Sequence, residues 1–331
     1  MQRILVIRGG AVGDMVVTLP ALAALRAAFP QATIELLGQP ERARLARHPH
    51  YVDQVTALER WDIYRLFGQS PTVSSTLATY LRSWDVILSY LPAPEATFVN
   101  NVQRYCAGEV YAWWPHPPAQ CHVTAHLCQP VLHWQPPSCD LRPHLYLETE
   151  AQERAAQFWQ AAGLPEHGVV AWHPGSGGSH KLWPLAGWRE VMTRAARQGL
   201  PGVLISGPAE SERLSGTEGA ASLPPWPRAQ GRSLTEVAAI LARCAVVVGH
   251  DSGISHLAAA VGTTVLACFG PTDPYVWGPR SPRACVLWPE PAGPLTLQTL
   301  PPAMVSQTLE TLLRGSFAYT PSPVDCTIVR L

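Results

Sequence analysis

The sequence predicts an α/β protein made of two Rossmann-like domains. Short β-branched runs recur along the chain and each is followed by a helical pattern, which is typical of parallel sheets covered by helices. The strand, glycine turn and helix that open the chain are repeated in plan from Gly168 onward. With 331 residues, of which 47% are hydrophobic, the chain is long enough for two cores.

The predicted strands follow from β-branched, apolar runs. They are residues 4–7, 33–37, 86–90, 169–173, 203–206, 245–249 and 264–269. Residues 92–143 are rich in Pro, His and Trp and show little clear periodicity, and a helical pattern at 148–162 follows them. We therefore expect domains at 1–148 and 149–331 that face each other across a cleft, the second ending in a helix at 300–314 and a tail.

Charge and composition exclude several classes of partner. The 24 basic and 24 acidic residues cancel, so there is no overall field to attract nucleic acid, and we expect no nucleic-acid partner. Eight scattered cysteines and a start without a signal-peptide pattern favour a cytoplasmic protein. No apolar run reaches the ~18 residues of a spanning helix, so we expect any contact with the inner membrane to be peripheral.

A glycine-rich loop at 173–181 is the first candidate site. It offers successive backbone N–H groups, the Ser176 hydroxyl and Lys181, the single lysine among the 24 basic residues. A lysine left by chance in an arginine-biased sequence is the alternative interpretation. The loop is not a nucleoside-triphosphatase P-loop, because Leu182 follows the lysine. The pattern favours binding of a phosphate.

A second turn at 250–256 joins a predicted strand to a helix. Ser252 and Gly253 lie where the positive end of that helix is expected. Asp251 is either the N-cap of the helix or a ligand contact, and a carboxylate beside a diphosphate would accept hydrogen bonds from sugar hydroxyls. His256, one turn further on, is either structural or part of the same site.

The first strand is followed by Arg8-Gly9-Gly10-Ala11-Val12-Gly13-Asp14, which resembles a dinucleotide-binding turn. The match fails because Arg8 stands where the first glycine is required, and the second strand ends without an acidic residue for a ribose. Asp14 is placed either to cap the next helix or to act as a general base. No D-x-D pair and no C-x-x-C pair occurs, so we expect no catalytic metal and no cofactor.

Three blocks, residues 3–20, 173–184 and 248–279, resemble glycosyltransferase family 9, the ADP-heptose:lipopolysaccharide heptosyltransferases. In the last block the order and spacing of Asp251-Ser252-Gly253, His256 and Phe269-Gly270-Pro271-Thr272-Asp273-Pro274 are similar to those of the family. The resemblance implies a GT-B fold, an N-terminal acceptor domain, a C-terminal ADP-heptose domain, and transfer with inversion and without an obligatory metal.

The resemblance also implies roles for individual residues. Asp14 matches the general base, and Glu210, or Glu212 if the alignment shifts, matches the nucleoside-binding acid. The donor-binding set is Gly13, Ser176, Gly177, Lys181, Glu210, Asp251, Ser252, Gly253 and His256, with Lys181 also placed among the catalytic residues. The sequence departs from the family at Gly10 and Ala11, where small hydroxyl residues are common.

The expected function is therefore transfer of a heptose from ADP-heptose to the inner core of lipopolysaccharide. Arg60 and Arg65 are candidates for acceptor phosphates or carboxylates, or are simply solvated surface residues. Two other functions remain open: a GT-B enzyme that uses another nucleotide sugar or acceptor, and a non-catalytic protein that binds a nucleotide sugar.

Overall fold

The computed structural model describes residues 3–60, 62–69, 71–92, 96–207, 223–289, 296–315 and 324–331. The chain divides into two compact units, Met1–Pro143 and His144–Leu331. This division lies five residues before the boundary expected near 148. Residue 148 directly precedes the first helix of the second unit. Within the described residues no helix is both long enough and apolar enough to cross a bilayer.

The first unit contains a parallel sheet of five strands in the order β3-β2-β1-β4-β5. Its strands and helices are β1 Arg3–Arg8, α1 Val12–Val16, α2 Leu19–Ala28, β2 Thr33–Gly38, α3 Pro40–Ala43, β3 Gln54–Ala57, α4 Ser75–Arg82, β4 Val86–Ser89, α5 Ala96–Gln103, β5 Glu109–Ala112 and α6 Val123–Leu132. Short 3-10 turns lie at Arg44–Ala46, Leu58–Arg60 and Ile63–Phe67. Ile4, Leu5, Val6 and Ile7 are fully buried, as expected for a central strand covered on both faces.

The second unit contains a parallel sheet of seven strands in the order β12-β11-β10-β9-β6-β7-β8. Its elements are α7 Thr149–Ala161, β6 Val170–Trp172, α8 Leu185–Arg197, β7 Gly202–Ser206, β8 Arg228–Gln230, α9 Leu234–Ala242, β9 Val246–His250, α10 Gly253–Ala260, β10 Thr264–Cys268, α11 Pro274–Trp277, β11 Ala284–Trp288, α12 Pro302–Leu313 and β12 Thr327–Arg330. Two 3-10 turns occupy Ser179–Lys181 and Leu297–Thr299. A core that includes Trp172 and Trp188 packs α8 and α12 onto this sheet.

Both sheets contain a point at which the strand order reverses. In the first unit the chain proceeds outward from β1 through β2 to β3, and then restarts on the other side of β1 with β4. In the second unit it proceeds from β6 through β7 to β8, and then restarts beside β6 with β9. In open parallel sheets, ligands bind outside the carboxyl ends of the strands at such a point. Ligands are therefore expected at the loops after β1, β6 and β9.

All seven predicted strands are present, and each observed end lies within one residue of the predicted end. The described part of the chain contains five further strands that were not predicted, namely β3, β5, β8, β11 and β12. The elements α5, β5 and α6 lie in the segment that showed little periodicity. The helix predicted after the first turn is divided into α1 and α2. Pro20 has no N–H to donate to the carbonyl of Val16, so a continuous helix would lack that hydrogen bond.

Candidate functional site

The loop between β6 and α8 lies at the strand-order reversal of the second unit. It begins at His173, which is 4% exposed and whose Nδ1 lies 3.1 Å from the carbonyl oxygen of Ile205 at the end of β7. The loop continues through exposed Gly177 and a 3-10 turn that ends at Lys181. Because β6 and β9 are neighbours in the sheet, this loop meets the turn that follows β9.

Two side-chain contacts join the loop to that turn. The Ser176 hydroxyl donates a hydrogen bond of 2.9 Å to the carbonyl oxygen of Asp251. The Lys181 ammonium nitrogen lies 2.6 Å from Asp251 Oδ2. The Asp251 side chain is 8% exposed and that of Lys181 is 28% exposed, so the pair is partly screened by water on the lysine side only. Three residues that the sequence singled out are thus brought together.

The helix α10 begins at Gly253, and its N-cap residue is Ser252. The interpretation of Asp251 as the N-cap is therefore wrong, because its carboxylate is engaged by Lys181 instead. The Ser252 side chain makes no capping bond, and its buried hydroxyl oxygen has no hydrogen-bond partner among the described residues. The first-turn N–H groups of α10 carry a partial positive charge that favours an anion at this point.

His256 occupies the first turn of α10 and is 7% exposed. Its burial fits either of the interpretations left open by the sequence, and its contact with a donor stays a prediction. Glu210 and Glu212 lie outside the described residues.

The sequence did not single out His250, the last residue of β9, which is fully buried. Its Nε2 lies 2.8 Å from the backbone nitrogen of Trp183 and 3.3 Å from Nε1 of Trp188. Its Nδ1 lies 3.2 Å from the carbonyl oxygen of Gly175. A polar residue at the end of the apolar run Val246–Gly249 is the signal that was available for finding it.

In the first unit, Asp14 lies in α1, just after the turn that follows β1. Its Oδ2 accepts a hydrogen bond of 2.7 Å from the backbone N–H of Ala11, so the carboxylate does bond to the start of the helix. Its Oδ1 lies 3.2 Å from Nη2 of Arg8, and the side chain is 31% exposed. Each carboxylate oxygen keeps a further lone pair, so capping and general-base chemistry are compatible.

Arg8 is the charged partner of the Asp14 carboxylate. Its guanidinium, on a side chain that is 3% exposed, donates to Thr18 Oγ1, to the carbonyl oxygen of Tyr90 and to Asp14. Burial lowers the pKa of Arg8, while the Asp14 carboxylate opposes that shift. A guanidinium stays charged in proteins, so Arg8 supplies a fixed positive charge. From the sequence, Arg8 was notable only because it stands where a dinucleotide-binding turn requires its first glycine.

Gly10 lies against the Asp14 side chain in a backbone conformation that favours glycine. Its φ of 99° lies in the left-handed region that disfavours side chains. A Cβ placed there would lie 2.7 Å from Asp14 Oδ2 and 2.8 Å from its Cγ. Gly13 is half-buried within α1, beside Asp14 in the chain. The departure from the family at Gly10 thus leaves room for the carboxylate.

A cavity of about 540 Å³ lies at the carboxyl ends of β3 and β4 in the first unit. Its lining is mainly apolar and consists of Leu58, Glu59, Ile63, Tyr64, Phe67, Leu91 and Pro92. Arg65, beside this cavity in the chain, lies 3.2 Å from Asp62 and packs over the ring of Tyr64. Arg60 is exposed at the end of its 3-10 turn. Their role toward an acceptor stays a prediction.

Within the ranges covered by the structure, no three His, Cys, Asp or Glu residues are grouped so as to hold a metal ion.

Comparison with known proteins identifies the family of the chain. Residues 119–297 match the family model described as glycosyltransferase family 9 (heptosyltransferase). Lipopolysaccharide heptosyltransferase 2 of Salmonella typhimurium is 26% identical over 324 residues, which cover 86% of this chain and 88% of that protein. Lipooligosaccharide heptosyltransferase 2 of Haemophilus influenzae is 31% identical over 156 residues, and that alignment spans only 44% of either protein.

Among solved structures, the Escherichia coli ADP-heptose lipopolysaccharide heptosyltransferase II superposes with a TM-score of 0.75. The match is 22% identical and covers 96% of this chain and all of that one. Together with the two parallel sheets, this likeness confirms the GT-B fold class that the sequence resemblance implied.

Proposed function

Because this chain belongs to glycosyltransferase family 9, we propose that it transfers a heptose from ADP-heptose to the inner core of lipopolysaccharide, with inversion at the anomeric carbon. The observation that carries this proposal is the linked pair of loops after β6 and β9, where Ser176 and Lys181 both contact Asp251. Both loops lie inside the range matched by the family model.

The donor diphosphate is bound by the Ser176 hydroxyl, the Gly177 backbone and the Lys181 ammonium, beside the N–H groups that begin α10 at Gly253. Asp251 accepts hydrogen bonds from hydroxyls of the sugar. A carboxylate this close to a diphosphate would repel it, but the ammonium 2.6 Å from Asp251 offsets that charge. The ion pair is thus what allows both groups to serve one donor.

In the reaction, Asp14 accepts the proton of the acceptor hydroxyl as its oxygen attacks the anomeric carbon. The bond from that carbon to the diphosphate breaks on the opposite face, so the configuration inverts, and ADP leaves with the electron pair. Lys181 and the amide N–H donors stabilise the negative charge that develops on ADP. Arg8 fixes the orientation of Asp14 through the 3.2 Å contact with its Oδ1.

The acceptor half of the proposal assigns the inner-core saccharide to the first unit. Arg60 and Arg65 lie in the chain beside the 540 Å³ cavity and are proposed to meet acidic groups of the acceptor. Since lipopolysaccharide is anchored by its lipid, we propose that the enzyme acts from the cytoplasm, in peripheral contact with the inner membrane.

Titration with nucleotides tests the donor assignment. ADP should stabilise the protein against thermal unfolding more than UDP or GDP does, because at equal concentration the ligand that binds more tightly raises stability more. A clear preference for UDP or GDP would move the assignment to another nucleotide sugar. Tight ADP binding without transfer to any lipopolysaccharide acceptor would favour a binding protein instead.

A further inference from the structure

We infer that His250 is a positioning residue of the donor site, whose neutral imidazole holds both ends of the phosphate-binding loop. One ring nitrogen faces Gly175 at the start of the loop and the other faces Trp183 at its end. The inference deepens the proposed function and rests on it, because the loop between these two residues carries Ser176 and Lys181.

The partners of the ring fix its protonation state. Nε2 faces two groups that can only donate, the backbone N–H of Trp183 at 2.8 Å and the indole N–H of Trp188 at 3.3 Å. Nε2 must therefore be the unprotonated acceptor. Nδ1 then carries the proton and donates to the carbonyl oxygen of Gly175 at 3.2 Å. An imidazolium would set an N–H group against two other N–H groups.

Two consecutive residues thus hold the loop at four points. His250 bonds the backbone at Gly175 and Trp183, and Asp251 contacts the side chains of Ser176 and Lys181. His250 is 0% exposed, and its own carbonyl oxygen accepts a 2.6 Å hydrogen bond from Ser255 in α10. The backbone of His250 is therefore anchored to the same helix whose N-terminus faces the proposed diphosphate.

Substitutions at His250 separate its two contacts. In His250→Gln the side-chain oxygen reaches the place of Nε2 and still accepts from Trp183, whereas His250→Asn keeps only a donor near Gly175. His250→Ala removes both contacts. Thr263→Val is the matched control: it deletes a buried hydrogen bond of 2.9 Å to the carbonyl oxygen of Leu241 in the same unit, away from the loop.

The first readout is the KM for ADP-heptose, compared with kcat. Displacement of a substrate-positioning group by about 1 Å can lower catalytic efficiency on the order of 100-fold. We therefore expect His250→Ala to raise the donor KM by about 10- to 100-fold, and His250→Gln to recover most of that loss because it restores the contact nearest Lys181. The KM for the acceptor should not change. Thr263→Val should lower the melting temperature without changing the donor KM.

A purely structural role predicts a different pattern. Loss of folded protein lowers apparent kcat and leaves the donor KM unchanged, so a wild-type donor KM in His250→Ala would overturn the inference. If His250→Ala does not fold, the comparison of His250→Gln with His250→Asn decides, and a Gln variant whose donor KM is no better than that of the Asn variant would also overturn it.

Hydrogen exchange gives a readout that does not require the proposed function. Mass spectrometry of the peptide that contains Trp183 should show a protected amide in the wild type and in His250→Gln, and faster exchange in His250→Asn. Equal protection in both variants would contradict the hydrogen bond from the Trp183 N–H to the His250 side chain. If the Trp183 amide is protected as expected but the protein neither binds ADP nor transfers heptose, the proposed function fails, while the role of His250 in holding the loop stands.

Discussion

The Nζ atom of Lys181 and the Oδ2 atom of Asp251 lie 2.6 Å apart, and they join the two loops that leave neighbouring strands β6 and β9. The pair ties the strongest candidate for a phosphate contact to the strongest candidate for a sugar contact. Since the carboxylate is 8% exposed, it depends on the ammonium for compensation of its charge.

Replacement of Lys181 by methionine should reduce both the rate of transfer and the stability of the fold. Loss of the ammonium removes an electrostatic contact to the leaving ADP, which should lower the transfer rate on the order of 100-fold. It also leaves a buried carboxylate without its partner, which should cost about 1–3 kcal/mol, less than for a fully buried pair because Lys181 is 28% exposed. Chemical denaturation and initial-rate kinetics measure the two effects.

The double variant Lys181→Met/Asp251→Asn is the control for this prediction. A neutral amide needs no ammonium, so stability should recover most of the loss while transfer stays low. Recovery of transfer along with stability would show that Lys181 acts through folding alone.

Gly177→Ala separates ligand binding from stability. A Cβ at Gly177 meets no heavy atom of the described residues within 4 Å, and the residue is exposed, so the unfolding free energy should change by less than about 0.5 kcal/mol. The methyl group would stand between the backbone and a diphosphate. Calorimetric titration with ADP should therefore show affinity weakened by about tenfold, a loss of about 1.4 kcal/mol. Unchanged ADP affinity would place the diphosphate elsewhere.

Asp14→Asn tests the proposed base. The amide oxygen can still accept from the backbone N–H of Ala11, so α1 should remain folded. General-base catalysis typically contributes about 100- to 10,000-fold, and kcat should fall by that range with ADP affinity unchanged. Asp53→Asn is the matched control in the same unit, since Asp53 also accepts from a backbone N–H and pairs with an arginine. A kcat for Asp14→Asn equal to that of Asp53→Asn would remove Asp14 from the mechanism.

Cys139 is expected to react first with alkylating agents. A hydrogen bond from Cys128 lowers the pKa of Cys139 to about 7, against the opposing effects of burial and of Asp140. In contrast, burial raises the pKa of Cys268 to about 12. Because the thiolate is the nucleophile, the alkylation rate at Cys139 should rise as pH passes upward through about 7 and level off above it.

Pulse labelling with iodoacetamide followed by peptide mass spectrometry measures this profile. In Cys128→Ala the midpoint should move to higher pH, because the donor to the thiolate is gone. A midpoint that does not differ between the two proteins would contradict the hydrogen-bonded pair.

Most of the fold could be predicted from the sequence because strands buried on both faces of a parallel sheet are unbroken apolar runs. Residues 4–7 and 245–249 are examples, and both became central strands. The missed strands β8 and β12 have three and four residues and include exposed polar side chains, so their pattern does not differ from that of loops. Their place in the sheet is decided by packing against neighbours rather than by local sequence.

The candidate site was predicted where chemistry is visible in residue type, and missed where it depends on contact. The rarity of lysine drew attention to Lys181, and glycine-rich turns located its partners. No local pattern pairs Lys181 with Asp251, 70 positions away in the sequence, and that contact replaced the cap proposed for Asp251. Arg8 and His250 act through groups that the chain folds around them, so their roles became visible only in three dimensions.

The most direct test is a transfer assay with purified protein, ADP-heptose and a lipopolysaccharide acceptor truncated in its inner core, with the product weighed by mass spectrometry. The proposed function predicts an acceptor heavier by one heptose residue, with one ADP released for each transfer, and loss of both signals in Asp14→Asn. An acceptor of unchanged mass with ADP-heptose, while another nucleotide sugar is transferred by the same protein, would contradict it.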